Sequence, residues 1–120
     1  MSATSLPWSN APNARLLTPT INFVTQVMDL ARGTNGYFYV SDARVNGNEA
    51  GVFVVNGSGT LLFNSHDESI AEGYANDVLS NTVAVAVSED GKYLAAAGNN
   101  NVLTIVPLTN GIPNLPQRVR

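Results

Sequence analysis

Cysteine is absent from the chain. That excludes disulfides, thiolate nucleophiles and cysteine-ligated zinc together. Histidine occurs once, as His66, so a metal site of histidine type needs ligands from other copies. Lysine also occurs once, charged residues are 12% of the chain, and the net charge is -3. No run of basic residues is present, which argues against nucleic acid as a partner. No apolar run reaches the ~18 residues that cross a bilayer, so membrane insertion is not expected. The opening residues, Met1 to Trp8, lack the charged and apolar regions of a secretory signal. Neither a G-x-S-x-G elbow nor a Walker-type phosphate loop occurs.

What is present is enough apolar material for a core: 44% of the 120 residues are hydrophobic. Asparagine occurs fifteen times, and that balance against a single lysine points to an extracellular or cell-surface β protein. Gly and Asn punctuate the chain from Gly33 onward, at Thr34-Asn35-Gly36, Asn56-Gly57-Ser58-Gly59, Glu89-Asp90-Gly91 and Asn110-Gly111. Asn-Gly and Asp-Gly tolerate positive φ and favour tight hairpin turns. Between them lie short stretches rich in β-branched and aromatic residues: 26–31, 37–41, 51–55, 60–64, 82–87, 92–97 and 101–108. All have strand length and none keeps a period of 3.6.

These segments repeat. The order of strand, Gly turn, aromatic-led strand, polar loop, Val-rich strand and Asn-Gly turn runs from Gln26 to Phe63 and again from Thr82 to Ile112. A four-strand unit that recurs is the signature of propeller blades. Val52-Phe-Val-Val55 and Tyr37-Phe-Tyr-Val40 do not alternate apolar and polar residues, so their sheet should be covered on both faces. The small residues of Val83-Ala-Val-Ala-Val87 and Ala95-Ala-Ala97 suit crowded inner strands. The expected fold is all-β: two four-stranded antiparallel blades, with an antiparallel sandwich as the alternative. The expected division is an irregular segment at 1–25 holding a strand candidate at 20–24, a first blade at 26–65, an inter-blade loop at 66–81, and a second blade with its tail at 82–120.

Two resemblances follow from these residues. Asn35-Gly-Tyr-Phe-Tyr-Val-Ser-Asp42 with Gly51-Val-Phe-Val-Val-Asn-Gly-Ser-Gly-Thr-Leu-Leu-Phe63 resembles an NHL-type or gluconolactonase-type blade. Val85-Ala-Val-Ser-Glu-Asp-Gly-Lys-Tyr-Leu-Ala-Ala-Ala-Gly98 with Asn101-Val-Leu-Thr-Ile-Val-Pro-Leu108 resembles YVTN-type blades. Such blades serve scaffolds, lectins, lactonases and dehydrogenases alike, so the resemblance speaks to fold. Propellers close with ~4–8 blades, so two imply either the remainder of a longer propeller or a ring completed by homo-oligomerisation.

In a four-stranded meander the turns after the first and third strands share one end. The longer connections, 42–50, 65–81 and 98–100, share the other, where ligand-binding loops are expected. Asp42, Glu49, Asp67, Glu68, Glu72 and Asp77 all fall there, opposed by Arg44. An acidic mouth attracts cations, and hard oxygen donors suit calcium, which is the candidate cofactor. His66 with Asp67, Glu68 and Glu72 reads either as a metal or general-base cluster or as the cap of a short helical turn ending at Gly73. Asn76-Asp77 is similar to a dipeptide that gluconolactonase-type propellers place near their calcium, and reads otherwise as an Asx turn. Asp29, inside a strand pattern, faces a channel or pairs with backbone.

Three functional readings stand. The first is a non-catalytic interaction or scaffold module that takes a peptide or glycan on the acidic long-loop face. The second, implied by the resemblance, is a fragment or subunit of a calcium-dependent gluconolactonase-like hydrolase. The third is a self-assembling surface or virion protein, which suits a low charge and apolar sheet faces.

Overall fold

The computed structural model describes residues 27–42, 51–98 and 101–120. The strand candidate at 20–24, and Arg44 and Glu49, lie outside these residues. Two four-stranded antiparallel sheets follow one another, each a meander with its strands in chain order. The first holds β1 (Val27–Arg32), β2 (Phe38–Asp42), β3 (Val52–Val55) and β4 (Leu61–Asn64). A short helix, α1 (Ser65–Ala71), leads into the inter-sheet loop. The second sheet holds β5 (Thr82–Val87), β6 (Tyr93–Gly98), β7 (Leu103–Thr109) and β8 (Ile112–Pro113). The chain is all-β, built as two propeller-like blades whose first strands, β1 and β5, pack beside each other.

Turn chemistry fixes the hairpins. Gly36, Gly91 and Gly111 sit at φ 85°, 73° and 84°, where a side chain would be strained. In the β3–β4 turn the positive φ falls on Gly59, two residues beyond the Asn-Gly pair. There the Asn56 carboxamide oxygen accepts from the N–H groups of Ser58 and Thr60 and rigidifies the loop. The Ser88 hydroxyl and the Lys92 N–H both donate to Asp90 and hold its carboxyl below the usual range.

In the first sheet β3 is apolar on both faces, and both faces are buried, whereas the edge strand β1 is largely exposed. Val52, Phe53, Val54 and Val55 are all 0% exposed. Val52 and Val54 join Tyr39, Phe63, Leu79, Val85, Leu94, Ala96, Val106 and Leu115 in the core between the sheets. Phe53 and Val55 pack with Val40 on the opposite face. Fully burying a Val or Phe stabilises by about 1.5–3 kcal/mol, so this strand is a main anchor of the fold.

The small residues of the second sheet suit crowded inner strands, yet among the described residues only the face toward the first sheet is covered. Leu94, Ala96, Thr104 and Val106 are buried there, whereas Ala84, Ala86, Tyr93 and Leu103 of the other face are exposed.

The fourth strand of this sheet is also interrupted. Ile112 and Pro113 pair with β7, a 3-10 turn at Leu115–Gln117 follows, and Val119 then rejoins β7 opposite Ile105. Pro116 lacks the N–H that an unbroken ladder uses, and the turn drops Leu115 into the inter-sheet core at 0% exposure.

Candidate functional site

The longer connections meet around a buried carboxylate, Asp77, in the loop between α1 and β5. One of its oxygens accepts from the Gly51 N–H at 2.7 Å and the Ser65 hydroxyl at 2.9 Å. The other accepts from the Leu79 N–H at 2.8 Å, an Asx turn. The Ser65 oxygen in turn accepts from the Val52 N–H at 3.0 Å. One side chain thus ties the inter-sheet loop to the start of β3 and the start of α1. Burial pushes the Asp77 carboxyl up from its ordinary value, against the three donors and the nearby His66. The approach at Gly51 is close enough that a Cβ there would overlap the Leu79 carbonyl oxygen.

α1 forms because Asn64, at the end of β4, turns its carboxamide oxygen onto the Asp67 N–H. Asp67 and Glu68 then complement the helix start, and Gly73 at φ 94° ends it. His66 lies with its Nδ1 3.3 Å from an Asp67 oxygen. The cap is therefore Asn64, a residue that sequence reading left in the strand.

The sequence candidates separate into three groups. Asp67, Glu68 and Glu72 project from α1 and the residue after it, with the Asp67 side chain 76% exposed. Asp42 and Asp77 are buried, Asp42 completely, so neither carboxylate is displayed at the surface. Asn76 is exposed beside Asp77, and Arg44 and Glu49 fall outside the described residues. No three His, Asp or Glu side chains converge on a common point among the described residues. Asp29 accepts from its neighbour Leu30 and from the Val85 N–H at 3.0 Å, so it bridges β1 to the free edge of β5.

Two functional groups escaped sequence reasoning. Because the interrupted outer strand runs back along β7, it returns Arg118 and Arg120 to the long-loop end. The Arg118 guanidinium stacks over the Tyr74 ring at 4.7 Å and donates to the Leu115 carbonyl. Arg120 donates to the Val78 carbonyl at 3.3 Å. This end therefore carries more positive charge than the count of six acids against Arg44 implies. The signal was the Pro-broken strand, whose continuation could not be registered from spacing alone.

Two concavities flank these groups. A polar recess of about 70 Å³ is lined by Asp77, Ser80, Thr82, Thr104 and Arg120 among others. A wider groove of about 380 Å³ runs between Glu72 and the outer segment, over Thr109, Ile112, Pro113, Asn114, Leu115 and Pro116. Its lining mixes apolar residues with Thr109 and Asn114, and among the described residues Glu72 is its one ionisable lining group. The fold and these sites define an all-β protein of two propeller-like blades with a partly apolar groove and a carboxylate on its rim. No protein-family model matches the chain, and no curated protein or solved structure matches it.

Proposed function

We propose that the chain is a non-catalytic interaction module that takes a short peptide segment pairing an apolar side chain with a Lys or Arg. The observation that carries this reading is the groove beside Glu72. Its Ile112 and Pro116 lining suits an apolar side chain, and Glu72 at the rim suits an adjacent cation. Asp67 and Glu68 on the same helix add a negative field that speeds encounter with a basic segment.

A selection of displayed random heptapeptides tests it. The expected result is enrichment of peptides with an aliphatic or aromatic residue next to Lys or Arg, whose binding weakens with salt and with Glu72→Lys. Equal enrichment on wild type and Glu72→Lys would refute the reading.

The calcium-dependent hydrolase reading has less support. It needs Asn76 or Asp77 as a metal ligand; Asn76 is exposed, and the two oxygens of the Asp77 carboxylate already accept three hydrogen bonds from within the chain.

A further inference from the structure

The outward face of the second sheet is apolar and open. Register places its side chains in rows across the strands. Ala84, Ala97 and Leu103 form one row, and Ala86, Ala95, Ile105 and Val119 form the next. Tyr93 and Pro107 pair in a third. None of these residues is charged. Tyr93, Leu103 and Val119 are 48%, 57% and 63% exposed. The face divides by size: the β5 and β6 columns are alanine except for Tyr93, and the β7 and outer columns carry Leu, Ile and Val.

We propose that this face binds the same face of a second copy, in a weak two-fold dimer. Three observations select that occupant. The face has no charge, so its partner must be apolar. The matching face of the first sheet is closed over its centre, since Val40, Phe53 and Val55 are buried, and its exposed apolar residues among those described lie toward the edge strands, Val27, Met28 and Leu30 of β1 and Leu62 of β4. The open face of the second sheet is therefore the broad apolar surface that a second copy can offer among the described residues.

The third observation is shape. Two sheets that pack face to face keep a spacing of ~10 Å when large residues meet small ones. A two-fold axis parallel to the strands, between β6 and β7, sets Leu103 over Ala97, Ile105 over Ala95 and Val119 over Ala86 of the other copy. An axis across the strands would instead set large residues on large. This arrangement is isologous and closes at two copies.

Size sets the strength. Nine residue positions on a grid of ~4.8 by ~6.6 Å give roughly 290 Å² per copy. The total of about 600 Å² lies well below the ~1,200–2,000 Å² of stable interfaces, so the dimer is weak and concentration-dependent. The open face shares no residue with α1 or the groove, so dimerisation and peptide binding are separable.

Sedimentation equilibrium from about 10 to about 500 μM tests the dimer, over the range where weak association appears. The expected mass rises from the monomer's 12.7 kDa toward twice that value. Leu103→Lys and Ala97→Glu should each weaken association at least tenfold, with melting curves confirming that both variants fold. An equimolar mixture of the two should recover a heterodimer, because the lysine of one copy then meets the glutamate of the other. Wild type that stays monomeric throughout, a dimer indifferent to both substitutions, or a mixture no better than its components would overturn the proposal. A limiting mass of three monomers would also overturn it, in favour of a ring closed by copies.

Discussion

Replacing Asp77 separates the cost of burying a charge from the cost of orphaning its donors. Asp77→Ala leaves the Gly51 N–H, the Leu79 N–H and the Ser65 hydroxyl without their acceptor, all in residues that are almost fully buried. Each orphaned buried donor costs about 1–3 kcal/mol. Two effects offset the sum. The substitution relieves the desolvation of a carboxylate, and the polar recess beside Asp77 can admit water to the freed donors. A net loss of about 2–4 kcal/mol is expected. A chain of this length has a total stability of roughly 6–18 kcal/mol, so the loss is a large fraction. Asp77→Asn, which keeps one carbonyl oxygen as acceptor, should lose about 1–2 kcal/mol. Urea unfolding at neutral pH measures both.

The pH dependence is the sharper test. Burial raises the folded-state carboxyl above its ordinary value of 3.8, so the folded chain holds the proton more tightly than the unfolded one. Stability from this group is therefore full below the unfolded value and declines as pH rises through the raised folded value. Asparagine does not titrate. The stability gap between wild type and Asp77→Asn should narrow as pH climbs from ordinary carboxylate values toward neutrality. A gap that widens over that interval would mean that the three donors outweigh burial, and the reasoning would be wrong.

Gly51→Ala should destabilise by at least about 2 kcal/mol, because the new Cβ can be relieved only by moving the Leu79 backbone, and Leu79 is core; thermal unfolding would show a drop of several degrees. Two buried serines should respond oppositely to the same deletion. Ser65→Ala removes a hydroxyl that both donates to Asp77 and accepts from Val52, at a cost of about 1–3 kcal/mol. Ser41→Ala removes a fully buried hydroxyl with no hydrogen-bond partner among the described residues, so its effect should lie near zero or be stabilising. Paired denaturant curves distinguish the two.

The strands and hairpins were legible because their signals are local. Continuous apolar runs such as 52–55 give away a sheet buried on both faces, and Asn-Gly or Asp-Gly pairs announce turns. What escaped needed non-local information. Asn64 looks like the last residue of a strand until the chain behind it coils and needs a cap. The return of Arg118 and Arg120 depends on a 3-10 interruption whose length decides where Val119 meets β7. Asp77 read as a turn former before a ligand, and its Leu79 contact bears that out; its burial did not show, because it is decided by Gly51 and Ser65, distant in sequence. The alanines of β5 and β6 read as crowded inner residues, since composition cannot say whether another sheet lies against them.

The two sheets are held at both ends as well as through the core between them, and this decides how the two open surfaces behave. At the long-loop end the Asp77 network joins β3, α1 and the inter-sheet loop. At the tight-turn end the Tyr39 hydroxyl of β2 donates to the Gly111 carbonyl in the β7–β8 turn at 2.7 Å. Asp29 adds a third tie between β1 and β5. With Leu115 buried in the shared core, the outer segment that walls the groove is pinned as well. Both surfaces are therefore presented on a braced scaffold, which lowers the ordering cost of a partner. They are also separated: Glu72 and the groove lie at the outer edge toward the first sheet, whereas Leu103 and Ile105 face away from it. A peptide in the groove need not displace a second copy from the far face, and the affinity for one should be unchanged by saturation with the other.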